Sequence, residues 1–242
     1  MSGLTLHYIY DPLCGWCYGA APLLRAARAV PGLVLALHGG GMLTGANRRR
    51  ISPQWRDYVM PHDRRIAALT GQPFGERYFE GLLRDEQAVM DSTPPTTAIL
   101  AAQSMDGVEA AADLLARLQH AHYVDGRRIA DTQVIGDVAA QAGLDPQRFA
   151  DLCLDIGAGQ TQAHMADSRA LLNRLGGQGF PTFALERGDG RFAVLDVGPY
   201  LGDAAAWQDS LARAVAQQGA DGTDGAGGPA CDAQGCDLPG QG

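Results

Sequence analysis

Two cysteines near the start of the chain, Cys14 and Cys17, are separated by only two residues. A dithiol with this spacing can exchange disulfides through thiolate attack, or it can bind a thiophilic metal. The 242 residues contain five cysteines, so chance gives this spacing in roughly one such sequence in ten. The spacing alone is therefore weak evidence, and the elements around the two thiols must decide between the two chemistries.

The dithiol lies where a predicted strand is followed by a predicted helix. Residues 4–10 are apolar or β-favouring and end at Asp11, which precedes a proline. From Cys14 onward the apolar residues recur at helical spacing until Pro31. The apolar run at 33–37 predicts a second strand, buried on both faces. Strand, helix and strand are the opening of a βαβ unit.

A helix that begins at Cys14 directs unpaired backbone N–H groups and its positive dipole end at that sulfur. This arrangement stabilises a thiolate, the reactive form in disulfide exchange. We therefore expect Cys14, at the exposed start of the helix, to be the nucleophile. Cys17 lies one turn further along the helix. It is expected to attack the mixed disulfide that forms between Cys14 and the substrate and so to release the substrate.

The rest of the chain predicts a long helical block and then a return to the sheet. Residues 46–158 contain helix-like stretches and no convincing strand. The elements predicted after this block are a helix at 165–175, an antiparallel hairpin of strands 182–185 and 192–195, and a helix at 203–217 capped by Asp203. Residues 219–242 are rich in glycine and poor in apolar side chains, which predicts a flexible tail.

The segment Gly179-Phe180-Pro181-Thr182 comes just before the first hairpin strand. A cis bond before Pro181 would expose a backbone edge beside the dithiol, where an extended substrate could pair. Only about 5–6% of X-Pro bonds in folded proteins are cis, so the residues alone do not establish this conformation.

With these elements placed, the chain resembles the DsbA family of thioredoxin-fold proteins, and Tyr10-Asp11-Pro12-Leu13-Cys14-Gly15-Trp16-Cys17-Tyr18-Gly19 is similar to its cytoplasmic FrnE-like branch. The resemblance implies an α/β thioredoxin fold with a large inserted all-helical domain. It places the thioredoxin-like domain at 1–45 and 159–218, the inserted domain at 46–158 and the tail at 219–242.

The resemblance also implies the site residues. Cys14, Cys17 and Pro181, with its cis peptide bond, form the catalytic set. The residues expected to bind substrate are Gly15, Trp16, Phe180 and Thr182. Periplasmic members usually carry a His within the motif and a signal peptide, and this chain has neither. The expected character is therefore that of an intracellular exchanger rather than a secreted oxidant.

The composition of the chain limits the partners that this protein is expected to bind. The formal net charge of −8 argues against nucleic acid, and no apolar run is long enough to span a membrane. We expect a cytoplasmic enzyme that acts on disulfide-containing proteins or small molecules. It needs no organic cofactor and no metal, and glutathione is a candidate redox partner. The absence of lysine excludes Schiff-base chemistry.

Cys231 and Cys236 form a second pair in the predicted tail, and a mobile dithiol there could relay electrons to the first pair. We assign no role to Cys153, which lies on a predicted helix. Arg48-Arg49-Arg50 is interpreted as a solvated loop. The aromatic residues Trp55, Tyr58, Phe74, Tyr78 and Phe79 could line a groove over the dithiol, although their helical spacing favours the core of the insert.

Two alternatives remain open. The kappa-class glutathione transferases and hydroxychromene-carboxylate isomerases share the expected fold, but they typically place Ser where this chain has Cys14. A metal-binding protein could instead use Cys14, Cys17, Cys231 and Cys236 as four thiolate ligands. The paired thiols of the first motif favour disulfide oxidoreductase or isomerase chemistry over the first alternative, and their position at a strand-to-helix junction favours it over the second.

Overall fold

The computed structural model describes residues 3–221. Its strands are β1 (Leu4–Tyr10), β2 (Leu33–Gly39), β3 (Arg49–Arg50), β4 (Val89–Met90), β5 (Thr182–Glu186) and β6 (Phe192–Leu195). Its helices are α1 (Gly15–Gly19), α2 (Ala21–Arg28), α3 (Pro53–Thr70), α4 (Thr93–Tyr123), α5 (Thr132–Gln141), α6 (Pro146–Arg174) and α7 (Ala204–Asp221).

A four-stranded mixed sheet forms the base of the molecule, with the strand order β2-β1-β5-β6. Strand β1 pairs in parallel with β2, and β5 runs antiparallel to both β1 and β6. Helices α2 and α7 pack together on the sheet, where the Trp207 indole N–H donates to the Leu23 carbonyl at 3.1 Å. The expected α/β arrangement, including the C-terminal hairpin, is confirmed.

Strand β2 differs from its expected burial. It lies at the edge of the sheet, and the side chain of Val34 is 55% exposed. A continuous apolar run is typical of central parallel strands, but an edge strand has a neighbour on one side only. The expectation that residues 33–37 are buried on both faces was therefore wrong.

The helical block between β2 and β5 contains more than helices. Strands β3 and β4 form a two-stranded antiparallel ribbon, in a region where no strand was expected. Between α3 and β4 the chain forms a π-helical turn at Arg77–Gly81 and a 3-10 turn at Leu82–Arg84 rather than a regular helix. Two-residue strands lack the length that makes a period of two visible in a sequence.

Two long helices of the block are kinked at glycines. Helix α4 bends at Gly107, where φ is +84°, and α6 bends at Gly157, where φ is +51°. These angles lie in the left-handed region that glycine adopts without steric cost. The expected domain boundary at residue 158 thus falls beside a kink within α6, which continues toward the sheet and ends at Arg174.

The helical block is attached to the sheet unit by polar and apolar contacts. Arg28 of α2 forms ion pairs with Glu109 and Asp113 of α4. Arg169 of α6 donates to the backbone carbonyl of Gly40, just after β2, at 2.7 Å. A single cluster of buried side chains joins the sheet to α4 and α5. The helical block and the sheet are therefore packed firmly against each other.

Helix α7 begins as expected, because the Asp203 carboxylate accepts a hydrogen bond from the Ala206 N–H at 3.0 Å. It continues to Asp221, so residues 219–221, which were expected to belong to a flexible tail, are helical. The remainder of that expected tail, including Cys231 and Cys236, lies outside the described residues. No helix within residues 3–221 is both long and apolar enough to cross a membrane.

Candidate active site

The two cysteines lie at the junction expected from the sequence, just after the C-terminal end of the central strand β1. Cys14 is the N-cap of α1 and has an extended backbone, while Cys17 lies within the helix. Helix α1 ends at Gly19, and α2 starts at Ala21 with a proline in its first turn. The single helix expected from Cys14 to Val30 is therefore two helices.

Cys14 is less accessible than expected for the start of a helix. Its residue is only 6% exposed, and Cys17 is fully buried. Both cysteines are free thiols in this structure. The expectation of an exposed Cys14 was wrong because the helical block and the Phe180 loop cover the start of α1.

The environment of Cys17 favours the neutral thiol. Burial raises the pKa of Cys17 well above its ordinary value, and the adjacent Cys14 raises this pKa further. The backbone N–H of Asp11 donates to Cys17 Sγ at 3.5 Å, which partly offsets these effects. The Tyr8 hydroxyl donates to the Cys17 carbonyl at 3.2 Å and ties the helix to β1.

Asp11 organises the loop between β1 and α1 from a fully buried position. Its carboxyl group accepts hydrogen bonds from the Leu13 N–H at 2.8 Å, the Ser92 hydroxyl at 3.0 Å and the Met42 N–H. Burial raises the pKa of Asp11, and these three hydrogen bonds lower it in part. The carboxyl group thus joins β1, the segment after β2 and the start of α4 below the dithiol.

The loop before β5 faces Cys14. The peptide bond between Phe180 and Pro181 is cis, as the family resemblance implies. The Cys14 thiol donates to the Phe180 carbonyl at 3.6 Å, a distance within the wider limit for sulfur. The Thr182 hydroxyl donates to the Gly179 carbonyl at 2.7 Å, so it holds the loop itself.

A cavity of about 930 Å³ opens beside Cys14 between α1 and the helical block. Cys14, Gly15 and Trp16 line it from the dithiol side, and Cys17 is not among its lining residues. The lining residues from the block are mixed in character, with apolar, aromatic and charged side chains: Asn47, Arg49, Arg50, Gln54, Trp55, Tyr58, His62, Asp63, Ile66, Tyr78 and Tyr123 among others. The volume suits a small molecule or a short peptide segment.

The cavity changes the interpretation of two groups of residues. Arg49 and Arg50 were expected in a solvated loop, but both line the cavity, and the Arg49 guanidinium lies 5.0 Å from the centre of the Trp55 ring. Trp55 and Tyr58 also line it, although their spacing favoured the core of the insert. Tyr78 lines the cavity as well, and it packs against Phe74 and Phe79, which pack together as expected.

Asp63 is a cavity residue that the sequence analysis missed. It is 5% exposed, and the Tyr78 hydroxyl donates to its Oδ2 atom at 2.7 Å. Burial raises the pKa of Asp63 to about 6, although the hydrogen bond from Tyr78 lowers it. An acidic residue three positions before the buried Ile66, on the same face of α3, was the available signal.

A cysteine pair at the start of a helix, beside a cis-proline loop on a mixed sheet, defines a thioredoxin-fold thiol-disulfide oxidoreductase. The model of the DSBA-like thioredoxin domain matches residues 5–199, and the chain belongs to this family. The search of the curated proteins finds no match. The α/β fold and the disulfide chemistry expected from the first cysteine pair are both confirmed.

Several solved structures are similar to this chain. The cytosolic disulfide reductase DsbM from Pseudomonas aeruginosa is 56% identical, with a TM-score of 0.82, and the match covers 88% of this chain and 99% of that chain. A second structure, of the same reductase with GSH, is 54% identical, with a TM-score of 0.80 and the same coverage. A putative protein disulfide isomerase from Nitrosomonas europaea shares the fold at 24% identity, with a TM-score of 0.72 and coverage of 89% and 98%.

Cys153, the third cysteine that the structure describes, lies away from this site. Cys153 is half-buried on α6 and is not a cavity residue, and burial raises its pKa to about 11. Within residues 3–221 no three His, Cys, Asp or Glu side chains are grouped to hold a metal ion. The four-thiolate hypothesis and the electron relay both need Cys231 and Cys236, so both stay predictions.

Proposed function

We propose that the protein is a cytoplasmic disulfide reductase in which Cys14 attacks the substrate, Cys17 resolves the mixed disulfide and glutathione restores the dithiol. The observation that carries the proposal is the cavity, which reaches Cys14 and not Cys17. An incoming disulfide therefore meets one sulfur only. The Pseudomonas relative, described as a cytosolic disulfide reductase and also solved with GSH, supports the direction, the partner and the location.

The two steps of the reduction follow from this geometry. The Cys14 thiolate attacks one sulfur of the substrate disulfide, the S–S bond breaks, and the first substrate thiol leaves with a proton. The Cys17 thiol then loses its proton and attacks Cys14 Sγ, which releases the second thiol. Two electrons pass from the dithiol to the substrate, and the protein ends with a Cys14–Cys17 disulfide.

The cavity wall suits glutathione. Glutathione carries two carboxylates, and Arg49 and Arg50 supply two guanidinium groups that bind carboxylates well. Trp16 adds an apolar surface beside the reacting sulfur. Two molecules of glutathione reduce the Cys14–Cys17 disulfide and leave as glutathione disulfide, which balances the cycle. The backbone around Phe180 and Pro181 offers an edge to the second substrate class, extended protein segments.

The proposal is tested by insulin reduction with glutathione as the electron donor. We expect Cys14→Ser to lower the rate to that of glutathione alone. When Cys17→Ser is treated instead with glutathione disulfide, Cys14 attacks it and one glutathione per protein is expected to stay on Cys14, measured by intact mass, while one reduced glutathione is released. Cys153→Ser is the matched control and is expected to retain the wild-type rate. Full activity in Cys14→Ser would contradict the proposed function.

A further inference from the structure

The mechanism above leaves one titratable group of the cavity wall without a role. Asp63 of α3 lies directly over the short segment between the two cysteines. A Cβ atom added to Gly15 would be only 2.6 Å from Asp63 Oδ1, which places this oxygen against the Gly15 backbone. The other carboxylate oxygen, Oδ2, accepts the Tyr78 hydroxyl. Oδ1 is thus held against the residue that follows Cys14, and Asp63 and Cys14 line the same cavity.

Disulfide reduction creates a need for a proton at this point. When Cys14 breaks the substrate S–S bond, the departing sulfur leaves as a thiolate, and leaving is slower when that thiol has a high pKa. An alkyl thiolate such as that of glutathione is a strong base, with a pKa near that of free cysteine, about 8.5. A proton donor in the cavity removes this obstacle.

We propose that Asp63 is the general acid that protonates the sulfur leaving when Cys14 attacks a disulfide. The inference rests on the proposed function and deepens it. The Cys14 Sγ–S bond forms, the substrate S–S bond breaks, and the proton of the Asp63 carboxyl passes to the departing sulfur. The products are a mixed disulfide on Cys14, a free thiol and the Asp63 carboxylate, which regains its proton from water when the thiol leaves.

The protonation state of Asp63 suits this role. Its pKa of about 6 lies close enough to neutral pH for the carboxyl to donate and recover a proton in each turnover. Besides Tyr78 and Cys14, the titratable or charged groups that line the cavity with Asp63 are Arg49, Arg50, Tyr58, His62 and Tyr123. The two arginines are fixed positive charges that attract the substrate and do not donate protons at neutral pH.

The test compares two disulfides that differ only in their leaving group. Pre-reduced protein is mixed with a dialkyl disulfide, whose leaving thiol has a high pKa, or with a mixed disulfide in which the same alkyl sulfur is bonded to a nitroaryl thiol of low pKa. We expect Asp63→Asn to lower the single-turnover rate for the dialkyl disulfide roughly 100-fold. The rate for the nitroaryl disulfide is expected to change less than about twofold, since its leaving group needs no proton.

The pH profile supplies a second readout. The ratio of the dialkyl rate to the nitroaryl rate cancels the ionisation of Cys14, which both reactions share. In the wild-type protein this ratio should fall as the pH rises through about 6, and in Asp63→Asn it should not depend on pH. Tyr78→Phe removes the hydrogen bond that lowers the pKa of Asp63, so the fall should move to higher pH.

Asp57→Asn is the matched control, because Asp57 lies on α3 and its carboxylate is exposed. It should leave both rates and the ratio unchanged. An equal loss of both rates in Asp63→Asn would show a structural role only and would overturn the inference. If Asp63→Asn does not fold, Tyr78→Phe tests the inference instead. A ratio of the two rates that depends on pH in Tyr78→Phe as it does in the wild-type protein would then overturn it. Failure of wild-type protein to reduce either disulfide would instead contradict the proposed function.

Discussion

The carboxyl group of Asp63 opposes folding at neutral pH. Its folded-state pKa of about 6 lies above the ordinary value of 3.8, because burial disfavours the charged form. Between these two pH values the folded protein holds more protons than the unfolded chain. The contribution of this group is therefore most favourable below about pH 4 and is lost as the pH rises to about 6.

We predict that Asp63→Asn raises the free energy of unfolding at pH 8 by up to about 3 kcal/mol, because each pKa unit corresponds to about 1.4 kcal/mol. The asparagine amide has nearly the same shape, and its oxygen still accepts the Tyr78 hydroxyl. Urea denaturation at pH 4 and at pH 8 measures the effect, which should disappear at the lower pH. A variant less stable than wild type at pH 8 would contradict this explanation, and Asp57→Asn is the control.

The sequence identified some residues of the site and missed others for a physical reason. Cys14, Cys17 and Pro181 were named because local spacing and a family motif carry their signal. Asp63 was missed because its importance depends on where α3 crosses α1, which no local pattern encodes. Arg49 was placed in a solvated loop because a charge run looks the same whether it faces water or a cavity.

Helices α1 and α3 approach each other closely through two glycines one turn apart, Gly15 and Gly19. A Cβ atom at Gly19 would lie 2.7 Å from Ile66 Cγ2 and 3.2 Å from Thr70 Cγ2. The first distance is shorter than any ordinary carbon–carbon contact. Glycine at these positions therefore lets the helical block pack directly on the helix that carries the dithiol.

We predict that Gly19→Ala lowers the free energy of unfolding by about 1–3 kcal/mol, the range typical of an overpacked core. Gly136→Ala in α5 is the matched control, since no atom lies within 4 Å of its added Cβ. The control should be stabilising by up to about 1 kcal/mol, because alanine favours helix more than glycine does. Thermal or urea denaturation measures both, and a Gly19→Ala variant as stable as wild type would show that α3 is free to move.

Most elements could be predicted from periodicity and from breaks at proline and glycine. Strand β1, the hairpin of β5 and β6 and the start of α7 at Asp203 lie where the sequence placed them. The ribbon of β3 and β4 could not be predicted, because its two-residue strands are defined by pairing across 38 intervening residues. The edge position of β2 likewise depends on strand order, which is a property of the whole sheet.

At the scale of the whole molecule, two histidines, the partly buried His38 and the buried His122, contribute to the loss of stability in acid. Burial lowers the pKa of both His38 and His122 to about 4, and the neighbouring His7 lowers that of His38 further. Between about pH 6.5 and 4 the unfolded chain therefore binds more protons at these positions than the folded protein does. Their contribution to stability is present above about pH 6.5 and is lost as the pH falls toward 4.

We predict that His122→Leu reduces the loss of stability between pH 6.5 and pH 4 by up to about 3 kcal/mol, by the conversion of about 1.4 kcal/mol per pKa unit. His122 is 1% exposed, whereas the side chain of its neighbour His120 is 57% exposed, so His120→Leu is the matched control. Urea denaturation at several pH values in this range gives the slope of the free energy of unfolding against pH for each variant. Equal slopes for His122→Leu and wild type would contradict the assignment.

The division into a sheet unit and an inserted helical unit stays a prediction, and the buried core is continuous across the predicted boundary. Residues of the sheet such as Leu6 and residues of the helical block such as Leu114 belong to the same cluster. Burial patterns within one helix indicate which face is covered and do not indicate what covers it. The sequence could therefore predict a helical insertion and could not predict how closely it packs on the sheet.

The contact between Asp63 and Gly15 has a consequence for how such a protein can change during evolution. The residue that follows the first cysteine faces a wall made by a helix from the inserted segment. A side chain at position 15 therefore requires a compensating change at positions 63 or 66. We therefore expect residue 15 of the active-site motif and residues 63 and 66 of the insertion to change together among related sequences.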